Sequence, residues 1–187
     1  MGGRGPTAAS LKAAYGKTIP DILGPDLRVL FVGINPSLYS AVVGHHFARP
    51  GNRFWPALHL SGLTPSRLKP DQDSTLLDYG IGLTNIVDRA TARGDELSKD
   101  DLIRGGRALI RKIRKWRPRC VAIVGVTAYR AAFGRPKASM GFQEEQLADA
   151  PLWVLPNPSG LNAHYQIPDL AEAYGAVDQW LASNAER

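Results

Sequence analysis

Short apolar runs at 27–32, 81–87, 120–125 and 152–155 lie far enough apart for a helix to fit between each pair. The runs are rich in β-branched residues and lack the alternation of a half-solvated strand, so each reads as a strand buried on both faces. Helical patterns fill the gaps. One is expected over 52–61, ending at Gly62. A second opens at Ser98, with Asp101 three residues on, and carries Leu102, Leu109, Ile110 and Ile113 inward until Pro118. A third is capped by Thr127 and runs to Phe133, and a fourth covers 168–183, with Leu170, Tyr174, Val177 and Leu181 on one face. Strands alternating with helices predict a single α/β domain built on one parallel sheet. Residues 134–150 read as a loop with an edge strand.

The chain has 187 residues, enough for one domain with a sizeable core. We expect the domain over 21–187, preceded by a flexible basic arm over 1–20 with a short helix near 10–15. Net charge is +6 and the pI is about 9.7, which favours a polyanionic partner. The single cysteine, Cys120, lies inside a strand run, leaving no disulfide framework, no cysteine-held cluster and no CxxC pair. With no membrane span or secretory leader in the pattern, a monomer of the cytoplasm is expected, not secreted, and nucleoid-associated if the source is bacterial. His45 and His46 are adjacent rather than four apart, and His59 and His164 are isolated, so neither a metal nor another cofactor is expected.

Two strand exits hold the residues able to do chemistry. After the first strand comes Gly33-Ile34-Asn35-Pro36, which puts an amide on the loop at the carboxyl edge of the sheet, where open α/β sheets bind ligands. After the last strand comes Pro156-Asn157-Pro158-Ser159-Gly160-Leu161-Asn162, a proline-stiffened loop with an apolar residue behind a glycine. In a parallel sheet both loops face the same side. Phe47 adds a ring, so the combination suits a flat ligand with polar edges, such as a nucleobase. Leu161 at such a tip has two readings: it folds onto the core, or it is a wedge for a base stack. The cations of the 98–116 helix read as a solvated face.

Gly33-Ile34-Asn35-Pro36, the FARPGNRFW segment from Phe47 to Trp55, TNIVDR from Thr84 to Arg89 and Asn157-Pro158-Ser159-Gly160-Leu161 together resemble the mismatch-specific uracil/thymine-DNA glycosylases of the uracil-DNA glycosylase superfamily. The resemblance implies a compact three-layer α/β/α domain with a central, mostly parallel sheet, and a DNA repair hydrolase acting without a metal. Such an enzyme flips uracil, with other damaged pyrimidines as candidate further substrates, out of mismatched double-stranded DNA, chiefly from G·U pairs. It then hydrolyses the N-glycosidic bond and leaves an abasic site. Asn35 matches the family's water-positioning asparagine, Phe47 the aromatic that stacks on the base, and Gly160 and Leu161 the loop that fills the gap. Backbone around Ile34 and Phe47 is expected to read the pyrimidine edge, with Gly33, Ser37 and Asn85 around the base and Ser40 beside its 5-position. Asn157, Ser159 and Asn162 are expected on the DNA side. Ser37 stands where many relatives have glycine, and Asn85 where some have lysine. Asp88 is a candidate second catalytic group that activates water, against its plainer role as a loop cap or a partner for Arg89. An amide has no accessible protonation near neutral pH, so Asn35 can orient water but cannot act as a base. Two rivals remain at this point: a non-catalytic mismatch-sensing DNA-binding module, and a hydrolase of free nucleosides that would leave Leu161 and the basic balance without a purpose.

Overall fold

The computed structural model describes residues 5–184. Five strands form one sheet in the order β2-β1-β3-β5-β4. They are β1 (Val29–Gly33), β2 (Ile81–Asn85), β3 (Val121–Val124), β4 (Gly141–Leu147) and β5 (Ala150–Leu155). β2, β1, β3 and β5 run parallel, and β4 joins the edge antiparallel. The long helices are α4 (Lys99–Trp116) and α6 (Ile167–Ser183), and the shorter ones are α1 (Ala8–Ala13), α2 (Leu38–Val43), α3 (Phe54–Leu60) and α5 (Val126–Phe133).

Side chains of a strand point alternately to its two faces, and both faces here are apolar. Val29 and Phe31 of β1, Ala122 and Val124 of β3, and Trp153 and Leu155 of β5 pack with Phe54, Leu58, Tyr174 and Val177 from α3 and α6. Leu30, Val32, Val121, Ile123, Leu152 and Val154 meet Leu109, Ile113, Tyr129 and Ala132 from α4 and α5 on the other side. The result is the expected three-layer domain. Cys120 is part of the first cluster, and burial pushes its thiol up to about 12, as suits an inert core residue. No helix among the described residues is long and apolar enough to cross a membrane.

Local structure departs from the sequence reading in three places. α2 is absent from the apolar pattern; it starts because the Ser37 hydroxyl accepts from Ser40 N–H, and it stops at Gly44, whose φ of 80° takes the left-handed cap position. α5 starts on Gly125, so Thr127 lies inside the helix rather than capping it. β4 and β5 are joined through Ala148 and Asp149, at φ 49° and 68°, a two-residue left-handed turn without the glycine that normally announces one.

The basic N-terminal segment also departs from a free arm over its described part. Ala14 is buried, Gly16 N–H donates to Ala90 O at 2.9 Å, and Ala90 N–H donates to Lys17 O at 2.8 Å. Asp21 then accepts from the Thr84 hydroxyl at 2.6 Å and pairs with Lys112 of α4 at 2.8 Å. Backbone pairing and a buried methyl dock the segment without any periodic apolar signal. Residues 1–4 lie outside the described residues.

Candidate active site

The sheet register brings Gly33 of β1 opposite Asn85 of β2, at the carboxyl edge. The continuing chains stay side by side: Ile86 N–H donates to Gly33 O and Val87 N–H to Ile34 O, both at 2.9 Å. One cavity of about 130 Å³ opens there, lined by Ile34, Asn35, Ser37, Ser40, Phe47 and Asn85 and, from the far loop, by Asn157, Ser159 and Leu161. The two strand exits singled out in the sequence therefore face one space.

Asn35 is held in one direction. Its Nδ2 donates to Arg89 O at 3.0 Å and to Thr91 Oγ1 at 2.8 Å. Arg89 O can only accept, and the Thr91 hydroxyl gives its own proton to Arg93 O at 2.7 Å, so both contacts require the NH2 end of the amide. Among the described residues no donor reaches Oδ1, which is left as an acceptor beside the cavity. Thr91 is fully buried and lines the same cavity. Sequence reasoning missed it, since it lies six positions past Asn85, in the loop where Asp88 is the more reactive residue type. Thr91→Val deletes the acceptor while keeping the shape. If Asn35 serves catalysis, the change should slow that reaction by about tenfold, the value of one well-made hydrogen bond, with little change in melting temperature. Single-turnover rates beside a thermal melt measure both.

Asp88 is corrected. Its carboxylate pairs with Lys112 Nζ at 3.1 Å and faces a separate hollow with Asp21, Arg111 and Lys115, on the α4 side. It does not partner Arg89 either, whose guanidinium pairs with Asp101 at 2.8 Å. The reason is electrostatic. Burial lowers the Lys112 ammonium's pKa, but the Asp21 and Asp88 carboxylates outweigh that and raise it on balance, and Asp88 turns toward that cation.

Phe47 has φ 51°, the left-handed region that a residue with a bulky side chain enters at a cost of roughly 1–3 kcal/mol. Neighbours hold it there. The next residue, Ala48, donates its N–H to Ser40 Oγ at 3.1 Å, the preceding His46 N–H donates to Asp73 at 3.1 Å, and the ring stacks on Phe54 at 4.1 Å between centroids. Ser40 also accepts from the Ser37 hydroxyl at 3.1 Å, so both serines brace the wall they line. Gly33 sits beneath. A Cβ there would lie 2.5 Å from Asn85 Oδ1 and 3.4 Å from the Phe47 ring, which explains the glycine by space rather than by backbone angle. The Asn85 side chain has no hydrogen-bond partner among the described residues, though the residue is only 6% exposed. Its amide is available to a ligand.

His46, which the sequence offered only as an unsuitable metal ligand, lines the cavity and is buried. Burial lowers its pKa despite Asp73 and the 2.9 Å bond to Pro20 O, so the ring is neutral and carries its proton on Nε2. The unfolded chain then takes up a proton more readily than the folded one below the ordinary histidine value of about 6.5. Stability is complete above that pH and falls as pH drops through 6.5 toward the lowered folded value. Thermal melts between pH 7.5 and 5 should show the decline, and His46→Gln, which keeps a donor for Pro20 O, should flatten it.

In the far loop Asn157 and Asn162 hold the loop itself. Asn157 Oδ1 accepts from Ser159 N–H at 2.9 Å, Asn162 Nδ2 donates to Asn157 O at 3.0 Å, and Asn162 Oδ1 accepts from His164 N–H at 3.2 Å. Gly160 packs against Gly51, and Leu161 stands 68% exposed at the tip. Its side chain does not fold onto the core.

A model of the family described as the Uracil DNA glycosylase superfamily matches residues 20–178. The chain belongs to this superfamily. Among solved structures, the solution NMR structure of a protein from Methanosarcina acetivorans, provisionally named a uracil DNA glycosylase, matches with a TM-score of 0.56 at 19% identity. The match covers 89% of this chain and 98% of that one, and at this identity it bears on the fold. Membership of the uracil DNA glycosylase superfamily supports DNA glycosylase activity, and the matched span contains the whole cavity apart from Ile19. Among the described residues no cluster of histidine, cysteine or carboxylate side chains could hold a metal.

Proposed function

We propose that this chain is a monofunctional, mismatch-specific uracil-DNA glycosylase that takes uracil, chiefly from G·U pairs in double-stranded DNA, and hydrolyses its N-glycosidic bond. The observation that carries the reading is the fixed direction of the Asn35 amide, with Nδ2 tied to Arg89 O and Thr91 Oγ1 and Oδ1 left to the cavity. An oxygen so placed accepts a hydrogen bond from a water and aims its lone pair at the sugar C1′. The C1′–N1 bond breaks, the electron pair leaves with uracil as an anion, and the water oxygen bonds C1′ and sheds a proton to solvent.

No lysine and no carboxylate lines the cavity among the described residues, and its ionisable side chains are His46 and Arg49. That inventory favours water over an amine nucleophile and leaves the reaction without a strong base, so the sugar must carry positive charge before the water bonds. Asn85, unpartnered over Gly33, suits the polar edge of a pyrimidine, and backbone near Ile34 and Phe47 can add to it. Phe47, backed by Phe54, suits stacking on the base, worth about 1–3 kcal/mol. That gain and Leu161 at the vacated position would offset the few kcal/mol of extrusion, which is smallest for a mispair; this is the basis for preferring G·U over A·U. The net charge of +6 favours DNA as partner.

A labelled duplex carrying one G·U, A·U or G·T pair, incubated without added metal in single-turnover conditions and scored for alkali-labile sites, tests the proposal. Cleavage at G·U ahead of A·U is expected. Binding to all three with no cleavage would refute it in favour of a mismatch-sensing module.

A further inference from the structure

Arg53 stands one residue before α3, half-buried, and its guanidinium bonds go to a segment more than a hundred residues away. Nη1 donates to Tyr165 O, and Nη2 donates to Ser159 O and, at 2.6 Å, to Asn162 O. The Arg53 N–H adds a bond to Pro158 O at 3.0 Å. No carboxylate pairs with this cation among the described residues; three main-chain carbonyls receive its guanidinium donors, and a fourth receives the main-chain N–H. Ser159 and Asn162 are the two ends of one turn, closed by Asn162 N–H donating to Ser159 O at 2.9 Å, and Leu161 is carried between them. Next to the clasp, a Cβ on Gly160 would lie 2.8 Å from Gly51 O, so the two loops touch there without room for a methyl group.

We infer that Arg53 is the positioning residue for the Leu161 tip, holding it rigid so that it can enter the base stack; this rests on the glycosylase reading above. The segment between β5 and α6 has no regular structure to stiffen it. A tip that had to be ordered on contact with DNA would lose that ordering free energy from every insertion, whereas a pre-ordered one would not. The planar fork suits the task, since one guanidinium reaches both ends of the turn and a lysine ammonium cannot reproduce that geometry. All acceptors are main-chain carbonyls, so the clasp works whatever side chains the loop carries. Arg53 does not line the cavity, and its loss should impair extrusion of the base rather than cleavage of the bond.

The test compares wild type, Arg53→Met, Arg53→Lys and Leu161→Ala on two DNAs, one with a G·U pair in an intact duplex and one with the same uracil inside a three-base bubble. Arg53→Met should fall about tenfold further on the duplex than on the bubble, Leu161→Ala should show the same ratio, and the double variant should be no worse than Leu161→Ala alone. Arg53→Lys should fall between wild type and Arg53→Met. Equal losses on both DNAs would overturn the inference, because a general loss of structure acts on both. Hydrogen exchange on the free protein supplies a readout independent of activity. Amides of 159–165 should exchange faster in Arg53→Met while those of β5 and α3 keep wild-type protection, and unchanged exchange would overturn the clasp. If wild type cleaves neither DNA, the glycosylase reading fails and the clasp is judged by exchange alone. Should Arg53→Met not fold, Arg53→Lys and Gly160→Ala probe the same contact from its two sides.

Discussion

Asn35→Ala should lower the single-turnover rate on a G·U duplex by on the order of 10²- to 10³-fold, the scale lost when a reacting group is no longer held in line. The fold should survive the change. Asn35 lies in the loop after β1, outside both core clusters, and its removal leaves Arg89 O and the Thr91 hydroxyl beside a cavity that water can enter. Asn35→Asp separates position from direction. A carboxylate has oxygens for the water but no hydrogen for Arg89 O, so one oxygen would face a carbonyl and the group would turn or protonate. It should therefore be nearly as slow as Asn35→Ala. Asp88→Asn serves as the control on the opposite side: its carboxylate faces Lys112 and a separate hollow, and the rate should stay within about twofold of wild type. A fast Asn35→Ala would move the water elsewhere, with Thr91 the next residue to change.

The contrast between Asp88 and Thr91 shows where the sequence stops being informative. Both are polar residues just past β2, and by residue type alone a carboxylate is the more reactive choice. Which of them faces the cavity depends on the path of the loop. That path is set by Val87 N–H on Ile34 O, by Thr91 N–H on Pro36 O and by Lys112 drawing Asp88 outward. None of these bonds leaves a trace in residue spacing. The strands were legible because a strand covered on both faces must be apolar throughout, and Asn35 was legible because a glycine, an amide and a proline at a strand exit are placed by the chain itself. Arg53 is the opposite case: written beside Phe54 and Trp55 it reads as the charged edge of a core helix, and its partners at Ser159, Asn162 and Tyr165 are supplied by the tertiary fold.

Phe54 couples the core to the cavity, and its substitution should give the second large effect. It is fully buried, meets Phe31 and Trp55 edge-on at 5.5 and 5.3 Å, and lies nearly parallel to Phe47, 18° apart at 4.1 Å. Phe54→Ala removes that ring from a closed aromatic cluster, at about 3–5 kcal/mol, which for a chain of this size lowers the melting temperature by on the order of 10 °C. Phe54→Leu is the sharper experiment. It nearly fills the volume, so stability should fall by only about 1–1.5 kcal/mol. It takes away the flat support, however, and Phe47 already occupies a left-handed backbone conformation that its neighbours must hold. With the support gone, the Phe47 ring can tilt and lose part of its roughly 1–3 kcal/mol of stacking on a base. Phe54→Leu should therefore show a several-fold weaker half-saturation for the G·U duplex in single-turnover titrations, with a smaller change in the maximal rate, because Asn35, Thr91 and the water are untouched. A maximal rate that fell while half-saturation stayed constant would mean that Phe47 acts on the reacting bond rather than on retention of the base.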